Sequence, residues 1–138
     1  MIPKIVKQYR DDGSIYREYY YQHGKLHRDN GSAIIRYCEN GSIFREEYYQ
    51  HDKRHRDDGP ADIWYYHSGS IHREYYYQHG NRHRDNGPAH ILYNVDESIG
   101  REYYFYHGTD IPKWLKDKGY SMPLTDKQIF ELNLTYAP

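Results

Sequence analysis

SIFREEYYQHDKRHRDDGPADIWYYHSG, residues 42–69, runs directly into SIHREYYYQHGNRHRDNGPAHILYNVDE, residues 70–97, and the two stretches align over their whole length without a gap. The same period extends outward in both directions. Ser14-Ile15, Ser42-Ile43, Ser70-Ile71 and Ser98-Ile99 recur every 28 residues, followed each time by an arginine (Arg17, Arg45, Arg73, Arg101) and a glutamate (Glu18, Glu46, Glu74, Glu102). A fixed period of this size is the signature of a stacked repeat, in which each unit buries its apolar face against the next.

Each unit carries two extended segments. An A segment runs through Tyr19-Tyr20-Tyr21-Gln22, Glu47-Tyr48-Tyr49-Gln50, Tyr75-Tyr76-Tyr77-Gln78 and Tyr103-Tyr104-Phe105-Tyr106. A B segment follows as Ala33 to Tyr37, Ala61 to Tyr65 and Ala89 to Tyr93, with Ala, Ile and Tyr at every second position and unlike residues between them. A period of two places the constant set on one face of a strand, so that face packs and the other is free to vary. Ile5 and Tyr9 fall in register with Ala33 and Tyr37, which makes the first segment an additional B strand and gives eight strands. Asp12-Gly13, Asn40-Gly41 and Ser68-Gly69 supply tight-turn residues between B and A. The A-to-B links, His23 to Gly31 and its copies, read as longer loops. The expected fold is mainly β: an antiparallel meander of 28-residue hairpin units over residues 1–110, forming an open or solenoid-like sheet.

The repeat ends after His107-Gly108. Pro112 opens an expected helix with Trp114 and Leu115 as its contacts and Gly119 as its stop, and Thr125 to Gln128 form a capping-box pattern for a second. Residues 111–138 are thus expected to be a short α-helical cap over the last strand edge.

The His-Arg-Asp-Asp-Gly-Pro-Ala run from His55 to Ala61, its copy from His83 to Ala89, and the Tyr-Tyr-x-His-Gly pattern together resemble the MORN-like hairpin repeats of tailed phages, giant viruses and some bacteria, over about residues 9 to 108. That resemblance implies a viral scaffold placed in the host cytoplasm and acting on a host factor. The present units are longer and their turns poorer in Gly than typical MORN units, so lipid binding does not carry over.

Composition narrows the function classes. Nineteen basic residues nearly balance twenty acidic ones, so no global field draws nucleic acid or a membrane. Nineteen tyrosines compensate for few aliphatics. Cys38 stands alone, which excludes an intrachain disulfide, and no stretch has the length and apolarity of a membrane span. A reducing cytoplasm is the expected compartment.

Four identical copies of a motif serve four identical environments, whereas an active site gathers unlike groups once, so neither catalysis nor a cofactor is expected. His23-x-x-x-His27 and its copies have a spacing that zinc sites use but lack companion ligands, and are read as loop hydrogen-bonding groups. Asp29, Asp57 and Asp85 are expected to accept turn amides, and Arg28, Arg56 and Arg84 to pair with neighbouring units. Residues that break the repeat are the informative ones: Trp64 with Tyr66, and Arg36 and Leu92 beside it, form the candidate surface for a protein partner. The alternative is a nucleotide or small anion held by an arginine and tyrosine stripe of Arg17, Arg45, Arg73, Arg101, Tyr21 and Tyr77. A free edge on the first strand points to a homodimer.

Overall fold

The computed structural model describes residues 2–85, 87–110 and 125–128. Its strands are β1 (Lys4–Tyr9), β2 (Ile15–Gln22), β3 (Lys25–Leu26), β4 (Ile34–Tyr37), β5 (Ile43–Glu47), β6 (Tyr49–Gln50), β7 (Lys53–Arg54), β8 (Asp62–Tyr65), β9 (Ile71–Tyr75), β10 (Tyr77–Gln78), β11 (Asn81–Arg82), β12 (His90–Tyr93), β13 (Ile99–Tyr103), β14 (Phe105–Tyr106) and β15 (Thr109–Asp110). Eight of these form an open antiparallel meander in the order β1-β2-β4-β5-β8-β9-β12-β13, with β3 attached to β2. The alternation of A and B strands is the one the repeat predicts.

Ala33, Ala61 and Ala89 are fully buried, and Ile35, Ile63 and Ile91 are buried beside them. An Arg-Asp-x-Gly corner precedes each of these alanines. In each copy the arginine lies flat on a tyrosine of its own unit: Arg28 on Tyr20 at 3.8 Å, Arg56 on Tyr48 and Arg84 on Tyr76 at 4.0 Å. Each also donates to a carbonyl four residues on, that of Ser32, Pro60 or Pro88. A methyl group on Gly59 would meet the Arg56 guanidinium carbon at 3.0 Å, so a larger residue there would require the guanidinium to shift on its tyrosine. The guanidiniums therefore serve their own unit, where pairing with a neighbour was expected, while the backbone amides of Arg28, Arg56 and Arg84 reach the next unit at the carbonyls of Tyr49, Tyr77 and Phe105.

The B-to-A turns place Gly13, Gly41 and Gly69 at φ between 87° and 92°, each following a turn closed by the glycine amide on the residue three before. A register shift follows in the sheet, where Gln8 pairs with Arg17 but Tyr9 with Ile15, and the same bulge recurs in three later pairs. Such a turn with its glycine bulge adds local twist.

The A-to-B links differ from expectation. They are not plain loops but second, smaller hairpins: β2 turns into β3, β6 pairs β7, β10 pairs β11 and β14 pairs β15. Both turn residues have positive φ, as in His23-Gly24, His51-Asp52, His79-Gly80 and His107-Gly108, the backbone that a two-residue hairpin turn requires. These hairpins stack one on the next through backbone bonds at a 28-residue spacing, Asp52 to Leu26, Gly80 to Arg54 and Gly108 to Arg82.

Of the expected cap, Asp126–Gln128 form a helical turn, and the capping box is present: the Gln128 amide donates to Thr125 Oγ1 at 3.2 Å and the Thr125 amide to Gln128 Oε1 at 3.0 Å. Pro112, Trp114, Leu115 and Gly119 lie outside the described residues. No helix among the described residues is long and apolar enough to cross a membrane.

Candidate functional site

Arg and Glu are adjacent in every A strand, so they project from opposite faces of the sheet. Antiparallel register then gathers all copies of each into a row. On one face Glu18, Ile35, Glu46, Ile63, Glu74, Ile91 and Glu102 lie side by side across the strands. On the other, the row reads Gln8, Arg17, Arg36, Arg45, Trp64, Arg73, Leu92, Arg101.

Three glutamates of the row are satisfied from the neighbouring B strand. Tyr37 donates its hydroxyl to Glu18 at 3.0 Å, Tyr65 to Glu46 at 2.8 Å, and Tyr93 to Glu74. Burial first and then the carboxylate acceptor push the Tyr37 hydroxyl up to about 12, and the same causes raise Tyr65 and Tyr93. These phenols are fixed as donors at any physiological pH.

In the arginine row, Arg45 alone has carboxylate partners among the described residues. Arg45 grips Asp62 with two bonds, Nε to Oδ1 at 3.1 Å and Nη2 to Oδ2 at 3.0 Å, and stands 2.5 Å from Glu47 Oε1. Arg54 reaches the same Glu47 from the β6-β7 hairpin at 3.6 Å. Both carboxylates are almost fully buried. Burial opposes the Arg45 charge, but Asp62 and Glu47 outweigh it, and the net effect is to raise its pKa. Two cations against two anions in a poorly solvated place form a closed structural cluster. The copies of Glu47, Arg54 and Asp62 are Tyr19, Leu26 and Ile34 in the first unit and Tyr75, Arg82 and His90 in the third, so the first unit replaces all three by uncharged residues while the third keeps the arginine and loses both carboxylates.

Arg17, Arg36, Arg73 and Arg101 form no ion pair among the described residues. Arg17 and Arg36 are direct cross-strand neighbours, an arrangement of like charges that costs stability when nothing sits over it. The Nε atoms of Arg36 and Arg73 are buried without an acceptor among the described residues. Trp64, half-buried, sits in the middle of the row with the Arg45 guanidinium 4.1 Å and that of Arg73 5.9 Å from its ring centre.

The residues singled out in the sequence thus fall into one row rather than two separate surfaces: Trp64, Arg36 and Leu92 interleave with Arg17, Arg45, Arg73 and Arg101. Tyr66, Tyr21 and Tyr77 lie elsewhere. Tyr66 donates to the Tyr93 carbonyl at 2.8 Å and stacks on His72 at 4.4 Å, tying one B-to-A turn to the next unit as Arg10 does through the Tyr37 carbonyl at 2.7 Å. Tyr21 stacks loosely on Tyr19 and pairs with Leu26 in the small hairpin. Tyr77 is buried in β10 under the Arg54 guanidinium.

The histidines join units rather than pairing within them. His27 Nδ1 accepts the His51 amide at 3.1 Å while its Nε2 meets Asp29 Oδ1 at 2.8 Å, and the two rings lie 4.6 Å apart. His55 with His79 and Asp57, and His83 with His107 and Asp85, repeat the arrangement. The acceptor role of Nδ1 places the ring proton on Nε2, facing the aspartate. Those aspartates therefore orient an imidazole, where a turn-amide role was expected. No group of three or more metal-ligating side chains is gathered among the described residues. Comparison with protein families, curated proteins and solved structures finds no match for the chain.

Proposed function

We propose that the arginine face is a non-catalytic docking surface for an extended acidic segment of a partner protein. The observation that carries this reading is the row itself, in which four guanidiniums without carboxylate partners among the described residues share one cross-strand line with a tryptophan. Strands about 4.8 Å apart give the eight-strand row a length of about 34 Å, comparable to an extended peptide of about ten residues. Its shape, a line without walls, suits a strand-like or irregular polypeptide. A nucleotide base would need an open aromatic face, and the Trp64 ring already has Arg45 against it. The resemblance to viral hairpin-repeat scaffolds agrees with a protein partner.

Arg45 is part of the structural cluster, so the residues that report on binding are Arg17, Arg36, Arg73 and Arg101. In a Trp114→Phe background, Trp64 fluorescence titrated with a ten-residue glutamate-rich peptide should change saturably, and the Arg36→Ala/Arg73→Ala double variant should bind at least tenfold more weakly while keeping its melting temperature. Saturation by ATP with no response to the peptide would replace this reading with nucleotide binding, and no response to either would reject the surface.

A further inference from the structure

We infer that the molecule associates head to tail with a second copy of itself, the outer edge of β1 of one copy completing the sheet beside β13 of the other. The two ends of the sheet are unlike. β1 is a B-type strand, whose internal copies all have A strands on both sides, and β13 is an A-type strand, whose internal copies all have B strands on both sides. Among the described residues no strand pairs with the outer edge of either. Among the described residues each end therefore presents the half that the other lacks.

Exposed apolar surface is concentrated at these two ends. Ile5 and Tyr9 on β1 are 51% and 58% exposed, and Ile99 and Tyr103 on β13 are 55% and 38% exposed; Ile2 and Val95, the other large apolar residues in this condition, flank the same two strands. Their internal counterparts, Ala33 and Tyr37 for Ile5 and Tyr9, and Ile71 and Tyr75 for Ile99 and Tyr103, are buried or half-buried by the neighbouring unit. Apolar exposure confined to two complementary edges is what an interface cut in half looks like.

The internal joints supply the register. Between β2 and β4, Arg17 faces Arg36, Glu18 faces Ile35 and Tyr19 faces Ile34. Shifted by whole repeats, the same joint sets Arg101 opposite Gln8 of the second copy, Glu102 opposite its Lys7 and Tyr103 opposite its Val6. Each of these is a better pair than a like-charge contact: the Arg-Arg opposition of the internal joint becomes Arg-Gln, and a Lys-Glu pair appears. Hydrogen bonding agrees. Glu18 receives hydroxyls from both Tyr20 and Tyr37, whereas Glu102 receives only that of Tyr104. The missing donor is the counterpart of Tyr37, which is Tyr9 at the other end. Lysines on an edge strand ordinarily repel indiscriminate strand addition, so Lys7 admits an edge that offers Glu102 and disfavours others. Because the interface is heterologous, addition does not close at two copies, and the arginine row continues through each junction.

The test is sedimentation velocity of the full chain from about 1 μM to about 1 mM. The average mass should rise continuously with concentration. Glu102→Lys, whose neighbour within the chain is the uncharged Ile91, should raise the concentration of half-association at least tenfold with the circular dichroism spectrum unchanged. Lys7→Glu in a Glu18→Gln background, so that the new carboxylate does not oppose Glu18 within its own chain, should do the same, and an equimolar mixture of the two variants should associate as the native chain does, since every junction between unlike copies again joins opposite charges. A monomer over the whole range, a mass that stops at two copies, or Glu102→Lys and native chains that associate equally would each overturn the proposal, as would a mixture that stays monomeric.

Discussion

Glu97 occupies the turn position held by Gly13, Gly41 and Gly69 in the other units, and it has the same left-handed backbone, φ 71°. The equivalent glycines have open space where a Cβ would stand, so the cost at Glu97 is conformational rather than steric. Glu97→Gly should stabilise the protein by about 1 kcal/mol, read as a shift in the urea midpoint at constant slope. Asp62 makes the opposite case. With it truncated, Arg45 keeps its buried place without its two-bond partner, and Asp62→Ala should cost about 3–5 kcal/mol. The triple change Glu47→Tyr, Arg54→Leu and Asp62→Ile installs the first unit's set and should recover most of that loss. Recovery of less than half would mean that the cluster is not the interchangeable module described above. In the sequence, Asp62 stood out only as a repeat-breaker. Its bonded partner Arg45 is 17 residues away, and a single chain gives no sign that Asp62, Glu47 and Arg54 meet around that arginine until register brings them face to face.

At the scale of the elements, the strands were legible and the small hairpins were not. Alternating Ala, Ile and Tyr fix the B strands because one face must be buried. His-Gly and His-Asp, by contrast, carry no strong turn signature, and the two-residue arms around them are too short to show a period. The hairpins are held instead by the neighbouring unit: the His51 amide goes to His27, the His79 amide to His55, and the His107 amide to His83. His55→Phe removes an acceptor while keeping a ring for the stack, so the His79 amide should lose at least tenfold of its protection from hydrogen exchange, with a stability loss of about 1–3 kcal/mol. His90 gives the sheet a pH dependence. Stacked between Tyr75 and Tyr103, it is pushed down to about 4 by burial first and then by Arg82 and Arg73. Between about 6.5 and 4 the unfolded chain binds this proton and the folded one does not, so stability falls as pH falls through that window. His90→Ile, the residue of the first unit, should show a smaller drop in denaturation midpoint between pH 7 and pH 5 than the native chain. An equal drop would remove His90 as its source.

For the whole molecule, the period alone predicted the order of eight strands and the segregation of Arg from Glu, and it left the choice between an open and a solenoid-like sheet to the structure. What the repeat concealed was that the surface singled out for a protein and the stripe singled out for an anion are one line, because their residues sit on different strands and only the cross-strand register reveals them as neighbours. The same period that aligns the arginines aligns the glutamates behind them. A chain with a net charge of −1 therefore carries five guanidiniums of the row on one side and four carboxylates of the row on the other. Such an arrangement is a dipole directed through the thickness of the sheet, and it acts before any contact is made. In the field of an approaching acidic body the molecule experiences a torque that turns its arginine side forward, so a near-neutral protein can present a preferred side at distances where its total charge exerts almost no pull.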